Sequence, residues 1–290
     1  MTTENGIQRV GVVGCGLMGS GIAEVCARAG LDVVVREVNQ AALDAGRRRI
    51  ETSLSRAVEA GKLAEADQGA TLSRLAFTTD FGDLTDRQLV VEAVVENETE
   101  KLDVFSSIDK AVEDEEALLA SNTSSIPIMK LAMATNRPAS VLGLHFFNPV
   151  PVMHLVELVP SLLTAPETAE RAEAFASSVL GKRVIRSKDR AGFIVNALLI
   201  PYLLSAIRML ESGFATAEDI DSGVVEGLRH PMGPLALADL IGLDTTIAVS
   251  ESLYEEFKEP LYAPPPLLSR MVEAGLLGRK TGRGFYDYHR

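Results

Sequence analysis

A glycine-rich turn between an apolar strand and an apolar helix constrains the fold of this chain more than any other feature. Residues 9–14 read RVGVVG, a short apolar run that is typical of a buried strand. The next stretch, LMGSGIAEVCARAG, repeats apolar side chains at helical spacing and stops at Gly30. Gly14, Gly16 and Gly19 lie at the junction and form the pattern G-x-G-x-x-G. This order predicts the start of a strand–helix–strand unit.

Strands and helices continue to alternate through the first part of the chain. The runs DVVVRE, LVVEAVVEN, ALLASNT, SVLGLHFF and HLVELVP each predict a strand, and residues 39–61 and 98–113 predict helices between them. Such alternation is typical of a mostly parallel sheet that is covered by helices on both faces. An α/β fold is therefore predicted for this part.

The pattern changes after about residue 187, where only helices are predicted. The helix of GFIVNALLIPYLLSAIRMLESG is apolar on nearly every side, so we expect it to be buried. The stretches ATAEDIDSGVVEGL, PLALADLIGLDTTIAVSESLYEEF and PLLSRMVEAG predict further helices. Because 290 residues exceed one ordinary core, we predict two domains, residues 1–187 and 188–290.

Charge and cysteine content exclude several classes of protein. The net charge of -12 argues against a nucleic-acid partner, because phosphate backbones are bound by basic surfaces. The two cysteines, Cys15 and Cys26, have neither metal-type spacing nor the number for a disulfide framework, which fits a reducing compartment. No apolar run reaches the ~18–20 residues of a membrane span, and the first residues lack a signal-peptide pattern. We expect a cytoplasmic protein without a metal or a membrane partner.

The glycine loop predicts a dinucleotide site. Gly14 would make the tight turn, Gly16 would let the backbone approach a pyrophosphate, and Gly19 would let helix and strand pack closely. Leu17 and Met18 open the helix, whose N-terminal N–H groups favour phosphate. The acid expected to accept the ribose hydroxyls is Glu37, at the end of the second strand.

The choice between NAD and NADP depends on two adjacent residues. The carboxylate of Glu37 would repel a 2′-phosphate, so NAD is favoured. Arg36 keeps NADP open as the alternative, since it could pair with that phosphate, lie over the adenine or point to solvent.

His145 is the leading candidate for a general base. An imidazole that is oriented by a carboxylate suits proton transfer at neutral pH, and Glu157 is the nearby carboxylate. If HLVELVP is a strand, His154 and Glu157 point to opposite faces, because side chains alternate. A hairpin-like pairing across the NPVPV turn would instead bring His145 opposite Glu157. A structural histidine at a strand end is the alternative interpretation.

Seven motifs together resemble the 3-hydroxyacyl-CoA dehydrogenase family, and they occur in its order and spacing over about residues 8–288. They are GVVGCGLMGSGIA, VVEAVVENETEKL, SNTSSIPI, GLHFFNPVPVMHLVELVP, DRAGFIVNALLIPYL, HPMGPLALADLIGLDT and GRKTGRGFYDY. The resemblance implies a Rossmann-type, doubly wound domain for NAD and an all-helical C-terminal domain that binds substrate and forms a homodimer. It also implies the interconversion of L-3-hydroxyacyl-CoA and 3-ketoacyl-CoA, in fatty-acid or butanoate metabolism.

The same resemblance implies roles for individual residues. The catalytic dyad corresponds to His145 and Glu157. Contacts to the substrate hydroxyl correspond to Ser124 and Asn196, and a contact to CoA corresponds to Ser53. The contacts to the cofactor, besides the glycine loop and Glu37, correspond to Glu96, Lys101, Ser124, Asn148 and Lys280.

Some positions depart from the family's pattern. Glu37 stands where Asp is common, His154 where Lys is common, and Ala60 where a CoA-binding lysine is expected, although Lys62 lies nearby. The predicted helix 39–61, which carries Ala60, is the most basic patch of the chain. This indicates either a solvated face or a dock for the CoA phosphates. Its arginines are Arg47, Arg48, Arg49 and Arg56.

Other interpretations stay open for several of these residues. Ser124 can simply cap a helix, Glu96 and Lys101 can be a polar helix start, and Lys280 can lie in a solvated turn. Two other functions also remain, an oxidoreductase for a free sugar acid or small hydroxy acid and a non-catalytic binding protein.

Overall fold

The computed structural model describes residues 6–289, and the chain divides into two compact units, Met1–Asp189 and Arg190–Arg290. The first unit is built on one eight-stranded sheet with the order β3-β2-β1-β4-β5-β6-β7-β8. All neighbouring strands are parallel except β6 and β7, which are antiparallel. This confirms the predicted mostly parallel, doubly wound sheet. The strands are β1 (Arg9–Val13), β2 (Asp32–Arg36), β3 (Leu75–Thr78), β4 (Leu89–Glu92), β5 (Leu118–Ser121), β6 (Val141–Phe146), β7 (Leu155–Pro160) and β8 (Arg183–Arg186).

The core of this unit lies on the central strands and the helices that cover them. The apolar side chains of β1, β4 and β5 are buried, which explains why these strands are nearly continuous apolar runs. The helix after β2 begins at an N-cap, Asn39, whose side chain accepts from the N–H of Ala42. The helices are α1 (Leu17–Arg28), α2 (Gln40–Glu59), α3 (Glu65–Leu72), α4 (Glu98–Ala111), α5 (Ile128–Met133) and α6 (Pro166–Ala174).

The order of the strands places a ligand crevice beside the glycine loop. The chain order reverses between β1 and β4, which are neighbours in the sheet. In open α/β sheets, ligands bind outside the carboxyl ends of the strands at such a reversal. The glycine loop follows β1, and the residues from Ala93 to Glu96 follow β4, so both line this point.

Four of these strands and helices have no counterpart among the sequence predictions. They are β3, β8 and the short helices α3 and α6. Both strands have only four residues, lie at the two edges of the sheet and carry no fully buried side chain. An edge strand with half-exposed side chains shows no clear apolar run, so periodicity could not identify these strands.

The second unit is helical in its described part, as expected. The long apolar stretch at 234–257 is divided into two helices by Gly242, whose φ of 103° ends the first one. A residue with a side chain rarely adopts this φ. The helices are α7 (Val195–Glu211), α8 (Ala217–Leu228), α9 (Pro234–Ile241), α10 (Leu243–Phe257) and α11 (Pro266–Glu273).

The prediction that the helix after the domain boundary is buried is wrong for one side of α7. In α7 the side chains of Ile200, Leu203 and Leu204 are buried, but Leu198 is 73% exposed. One apolar side of this helix is therefore uncovered within a single chain. Across residues 6–289, no helix is long and apolar enough to cross a membrane.

Candidate active site

The geometry of the glycine loop fits a pyrophosphate. Gly14 has a φ of 94°, and a Cβ there would lie 2.6 Å from the carbonyl oxygen of Ala93. A Cβ on Gly19 would overlap the carbonyl oxygen of Gly14, whereas Gly16 faces open space. The first turn of α1, which includes Leu17 and Met18, has no side-chain cap at its N-cap residue. Its N–H groups therefore remain available to an anion that approaches along the open side of Gly16.

Glu37 lies directly beside this loop. One carboxylate oxygen accepts from the N–H of Cys15 at 2.6 Å, and the other accepts from the N–H of Val38 at 2.9 Å. The side chain of Glu37 thus reaches back to the loop. The carboxylate is thus fixed at the end of β2, where the ribose of a dinucleotide is expected.

His145 and Glu157 are paired across β6 and β7, as expected for a hairpin-like pairing. His145 Nδ1 lies 2.7 Å from Glu157 Oε2, and both side chains are buried, at 5% and 0% exposure. Since the carboxylate can only accept, Nδ1 carries a hydrogen and Nε2 of the neutral ring is the acceptor. Nε2 lies 3.1 Å from Ser124 Oγ, which can donate to it. This arrangement leaves Nε2 as the basic atom.

His154 has a different environment. It precedes β7 rather than lying within it, it is exposed, and its carbonyl oxygen accepts from the N–H of Arg183. Strand alternation therefore does not determine the direction of its side chain. Among the described residues, no hydrogen bond or ion pair joins His154 to Glu157.

Glu96 organises the loop that carries Ser124. A single carboxylate oxygen, Oε1, accepts from the backbone N–H groups of Ser124 and Ser125 at 2.9 and 3.1 Å. It also accepts from the hydroxyl of Thr123 at 2.5 Å and from that of Ser125 at 3.0 Å. Burial alone would raise the pKa of Glu96, but Lys101 and these donors outweigh it and lower that pKa below its usual value. Glu96 therefore stays ionised and holds Ser124 beside His145.

Lys101 is fully engaged inside the first unit. Its ammonium lies 2.6 Å from Glu92 Oε1 and 3.3 Å from Glu96 Oε2, and its side chain is only 1% exposed. Glu92 is 0% exposed and also accepts from the hydroxyl of Ser121 at 2.6 Å. Lys101 thus joins two carboxylates behind the Ser124 loop. Its role as a direct contact to the cofactor stays a prediction.

The segment between β6 and β7, here called the connector (residues 147–154), is tied down by one buried lysine. Lys182 Nζ donates to the carbonyl oxygens of Val150 and Met153, both at 2.7 Å. Burial lowers the pKa of Lys182, and so does the nearby charge of Arg28. Asn148 lies on the exposed part of this connector, between the strands that carry the His–Glu pair.

A cavity of about 800 Å³ lies between α1, α2 and the connector. Ser53 and Lys62 line it, as do Asn148 and Ala60. Its other charged lining residues are Glu24, Arg28, Arg48, Arg49 and Arg56.

The basic patch of α2 is divided by this arrangement. Arg48 and Arg56 line the cavity, and Arg49 does so while donating to the carbonyl oxygen of Cys15 at 3.2 Å. Arg47 instead lies 4.5 Å over the ring of Phe77 and is not part of the cavity lining. The helix α2 therefore has one face that lines the cavity and another that contacts Phe77 of the edge strand β3.

Two predicted residues belong to the second unit. Asn196 is half-buried in the first turn of α7. Lys280 lies on the exposed turn Arg279–Thr281, and its ammonium pairs with the carboxylate of Asp244 at 2.5 and 2.6 Å. Their contacts with substrate and cofactor stay predictions.

Sequence reasoning missed three residues of this site. Glu92 could have been suspected, because a carboxylate within the apolar run LVVEAVV needs a buried partner. Thr123 and Lys182 gave no such signal, since their importance depends on which backbone groups the fold brings to them.

Comparisons with known proteins identify the family of this chain. Residues 9–190 match the family described as 3-hydroxyacyl-CoA dehydrogenase, NAD binding domain, and residues 192–288 match its C-terminal domain. A 3-hydroxybutyryl-CoA dehydrogenase of Mycobacterium tuberculosis is 64% identical over 285 residues, which cover 98% of this chain and 100% of that protein. The human mitochondrial hydroxyacyl-coenzyme A dehydrogenase is 43% identical, with 97% and 91% covered. The crystal structure of (S)-3-hydroxybutyryl-CoA dehydrogenase from Ralstonia eutropha has a TM-score of 0.92 at 47% identity, with 98% and 100% covered.

We predict that Lys182→Met destabilises the first unit and loosens the connector. The buried carbonyl oxygen of Val150 and the partly buried one of Met153 lose their donor, so the free energy of unfolding in urea should fall by about 1–3 kcal/mol. Amide hydrogen exchange in residues 147–154 should become faster than in the rest of the unit. The matched control is Lys110→Met on an exposed part of α4, which should change stability by less than about 0.5 kcal/mol. If both substitutions had the same effect, the hydrogen bonds from Lys182 would not be what holds the connector in place.

Proposed function

The chain belongs to the 3-hydroxyacyl-CoA dehydrogenase family, and from this premise we propose that it interconverts L-3-hydroxyacyl-CoA and 3-ketoacyl-CoA, with 3-hydroxybutyryl-CoA as a substrate. The observation that carries the proposal is the hydrogen-bonded triad of buried Glu157, buried His145 and half-buried Ser124, joined at 2.7 and 3.1 Å. Fatty-acid or butanoate metabolism is the setting in which such esters occur.

The residues of the first unit fit the NAD that its family domain binds. Gly14 and Gly19 admit no side chain, Gly16 faces open space, and Glu37 is fixed beside the loop. When bound, NAD supplies the acceptor or donor of the hydride at C3 of the substrate. The family domain is an NAD-binding domain, and the carboxylate of Glu37 favours NAD over NADP by repelling a 2′-phosphate.

The residues around His145 would move the proton. In the oxidative direction, His145 Nε2 takes the proton of the C3 hydroxyl as hydride leaves the same carbon. Glu157 holds the ring in the tautomer with Nδ1 protonated and stabilises the imidazolium that forms. Ser124 is within reach of Nε2 and can donate to the oxygen that becomes a carbonyl. In the reverse direction, the imidazolium returns the proton to that oxygen.

We propose that Asn196 also donates to the reacting oxygen and that Lys280 and Asn148 contact the cofactor. Residues 1–187 would form the NAD domain and residues 188–290 the substrate-binding and dimerisation domain. Support for a homodimer comes from exposed apolar side chains of the second unit, Leu198, Phe214 and Leu228, at 73, 79 and 64% exposure. Light scattering coupled to size-exclusion chromatography measures the oligomeric state.

The proposed reaction is tested by NADH oxidation with acetoacetyl-CoA, longer 3-ketoacyl-CoA esters and free acetoacetate. Turnover should require the CoA ester, and NADH should be preferred to NADPH. Equal turnover of the free acid would favour an oxidoreductase for small hydroxy acids. Absence of turnover with every substrate, while NADH still binds, would favour a binding protein.

We predict that His145→Ala lowers kcat by about 10²–10⁴-fold, because the proton acceptor is lost. The Kd for NADH should stay close to the wild-type value, since the glycine loop and Glu37 hold the cofactor. His145→Asn is the second variant, because its side-chain N–H can still donate to the buried Glu157. It should be as inactive as the alanine variant while folding more stably. A near-normal kcat in either variant would exclude His145 as the base.

His154→Lys is expected to keep most of the activity. His154 is exposed and lies outside β7, whereas the imidazole of His145 is buried and lies 3.1 Å from the hydroxyl of Ser124. A loss of kcat as large as that of His145→Ala would move the base to His154.

The cavity beside α2 is proposed as the dock for the CoA moiety. The double variant Arg48→Gln/Arg56→Gln should raise KM for acetoacetyl-CoA roughly 3- to 10-fold at low salt and less at high salt, where surface charges are screened. The KM for NADH should not change. Arg47→Gln is the matched control, because Arg47 lies over Phe77 outside the cavity lining. If KM is the same as in the wild type at every ionic strength, the arginines are a solvated face.

A further inference from the structure

One guanidinium at the end of β2 has no polar partner. Among residues 6–289, the side chain of Arg36 forms no hydrogen bond and no ion pair, and its Nε is the only buried side-chain polar atom without a hydrogen-bond partner. Its Cζ lies 3.9 Å from the centroid of the Phe81 ring. The guanidinium is thus held by an aromatic ring rather than by an anion, and burial lowers the pKa of Arg36. A desolvated donor without a partner calls for an explanation.

The position of Arg36 relates it to the cofactor. It is the last residue of β2, it pairs with Val13 at the end of β1, and its carbonyl oxygen accepts from the N–H of Gly14. Glu37 follows directly and contacts the loop through Cys15. Arg36 therefore lies at the adenosine end of the dinucleotide site rather than at its nicotinamide end.

The charges around Arg36 disfavour a phosphate. Two carboxylates, Glu37 and Asp80, act on its guanidinium electrostatically, yet neither forms an ion pair with it. Asp80 instead accepts from the N–H of Gly82 at 2.9 Å. A 2′-phosphate would meet one cation and two fixed carboxylates, so its net interaction is repulsive at short range. A neutral planar ring meets no such repulsion.

Building on the proposed NAD site, we propose that Arg36, braced by Phe81, is the stacking platform for the adenine ring of NAD and that Asp80 acts with Glu37 to exclude the 2′-phosphate of NADP. A planar guanidinium stacks well on aromatic faces and, unlike an ammonium, is weakly hydrated. Phe81 fixes the plane in advance, so little side-chain entropy is lost when adenine binds. Arg36 then contributes to coenzyme affinity through stacking, whereas the choice between NAD and NADP is made by the carboxylates of Glu37 and Asp80.

The test compares ligands with and without the adenosine. Kd values are measured for NADH, ADP-ribose and reduced nicotinamide mononucleotide, which lacks adenosine. Arg36→Ala should weaken NADH and ADP-ribose about 5- to 10-fold, in the range of one stacking contact, and should leave the mononucleotide unchanged. Because a misfolded variant would lose all three ligands, the mononucleotide reports on folding. The matched control is Arg47→Ala, which removes another arginine–phenylalanine contact and should leave all three Kd values unchanged.

Two further variants separate the plane of the guanidinium from its charge. Arg36→Lys keeps the charge but not the plane, so it should be as weak as Arg36→Ala for NADH. Asp80→Asn should raise kcat/KM for NADPH several-fold and leave that for NADH unchanged. The proposal is overturned if Arg36→Ala leaves NADH and ADP-ribose unaffected, if Arg36→Lys restores wild-type affinity, or if Asp80→Asn does not improve NADPH. A greater loss for NADPH than for NADH in Arg36→Ala would make Arg36 a ligand of the 2′-phosphate.

Discussion

The pairing of His145 with Glu157 is the interaction on which the candidate active site depends. Glu157 is 0% exposed, and an isolated buried carboxylate would be strongly unfavourable. Its partner is supplied by the only antiparallel pair of the described sheet, in which His145 lies directly opposite Glu157. The reversal of β7 is thus what brings acid and imidazole together, since successive parallel strands would have needed a long crossover between them. The short connector that results also carries Asn148 and part of the cavity wall.

A second group of buried charges holds the Ser124 loop, which contacts the His145–Glu157 pair. Glu92, Lys101 and Glu96 join the end of β4 to the start of α4, and Glu96 gathers four donors from the Ser124 loop. Each of these charges is paired, which is the condition under which burial is tolerable. Glu96 accepts from the backbone N–H of Ser124 and so positions the hydroxyl that contacts His145 Nε2. Glu157, at the other ring nitrogen, is a separate carboxylate. The loop can therefore be fixed without altering the tautomer that Glu157 imposes.

The sequence was sufficient for features that local chemistry dictates. The glycine loop, the alternation of strands and helices and the pairing of β6 with β7 follow from turn geometry and apolar periodicity. It was insufficient where distant contacts decide. The edge strands β3 and β8 lack buried side chains. In the sequence, Lys101 cannot be distinguished from an ordinary polar helix residue, because its partner Glu92 lies on a different element. Arg47 likewise cannot be distinguished from Arg48, because only the fold brings Arg47 to Phe77. Leu198 was expected to be buried because an apolar pattern does not say whether the covering surface belongs to the same chain.

The net charge of -12 raises the question of how such a chain would hold two anionic nucleotides. The answer differs between the two candidate sites. At the glycine loop the donors are neutral backbone N–H groups at a helix N-terminus, which do not add to the formal charge. In the cavity beside α2, five basic side chains and one carboxylate, Glu24, line the walls, so the local charge is opposite to that of the chain. Since the Debye length is about 8 Å at physiological ionic strength, distant carboxylates are screened while groups within the cavity are not. An acidic surface and a local excess of cationic side chains are therefore compatible, and the acidic remainder disfavours nonspecific contacts with other polyanions.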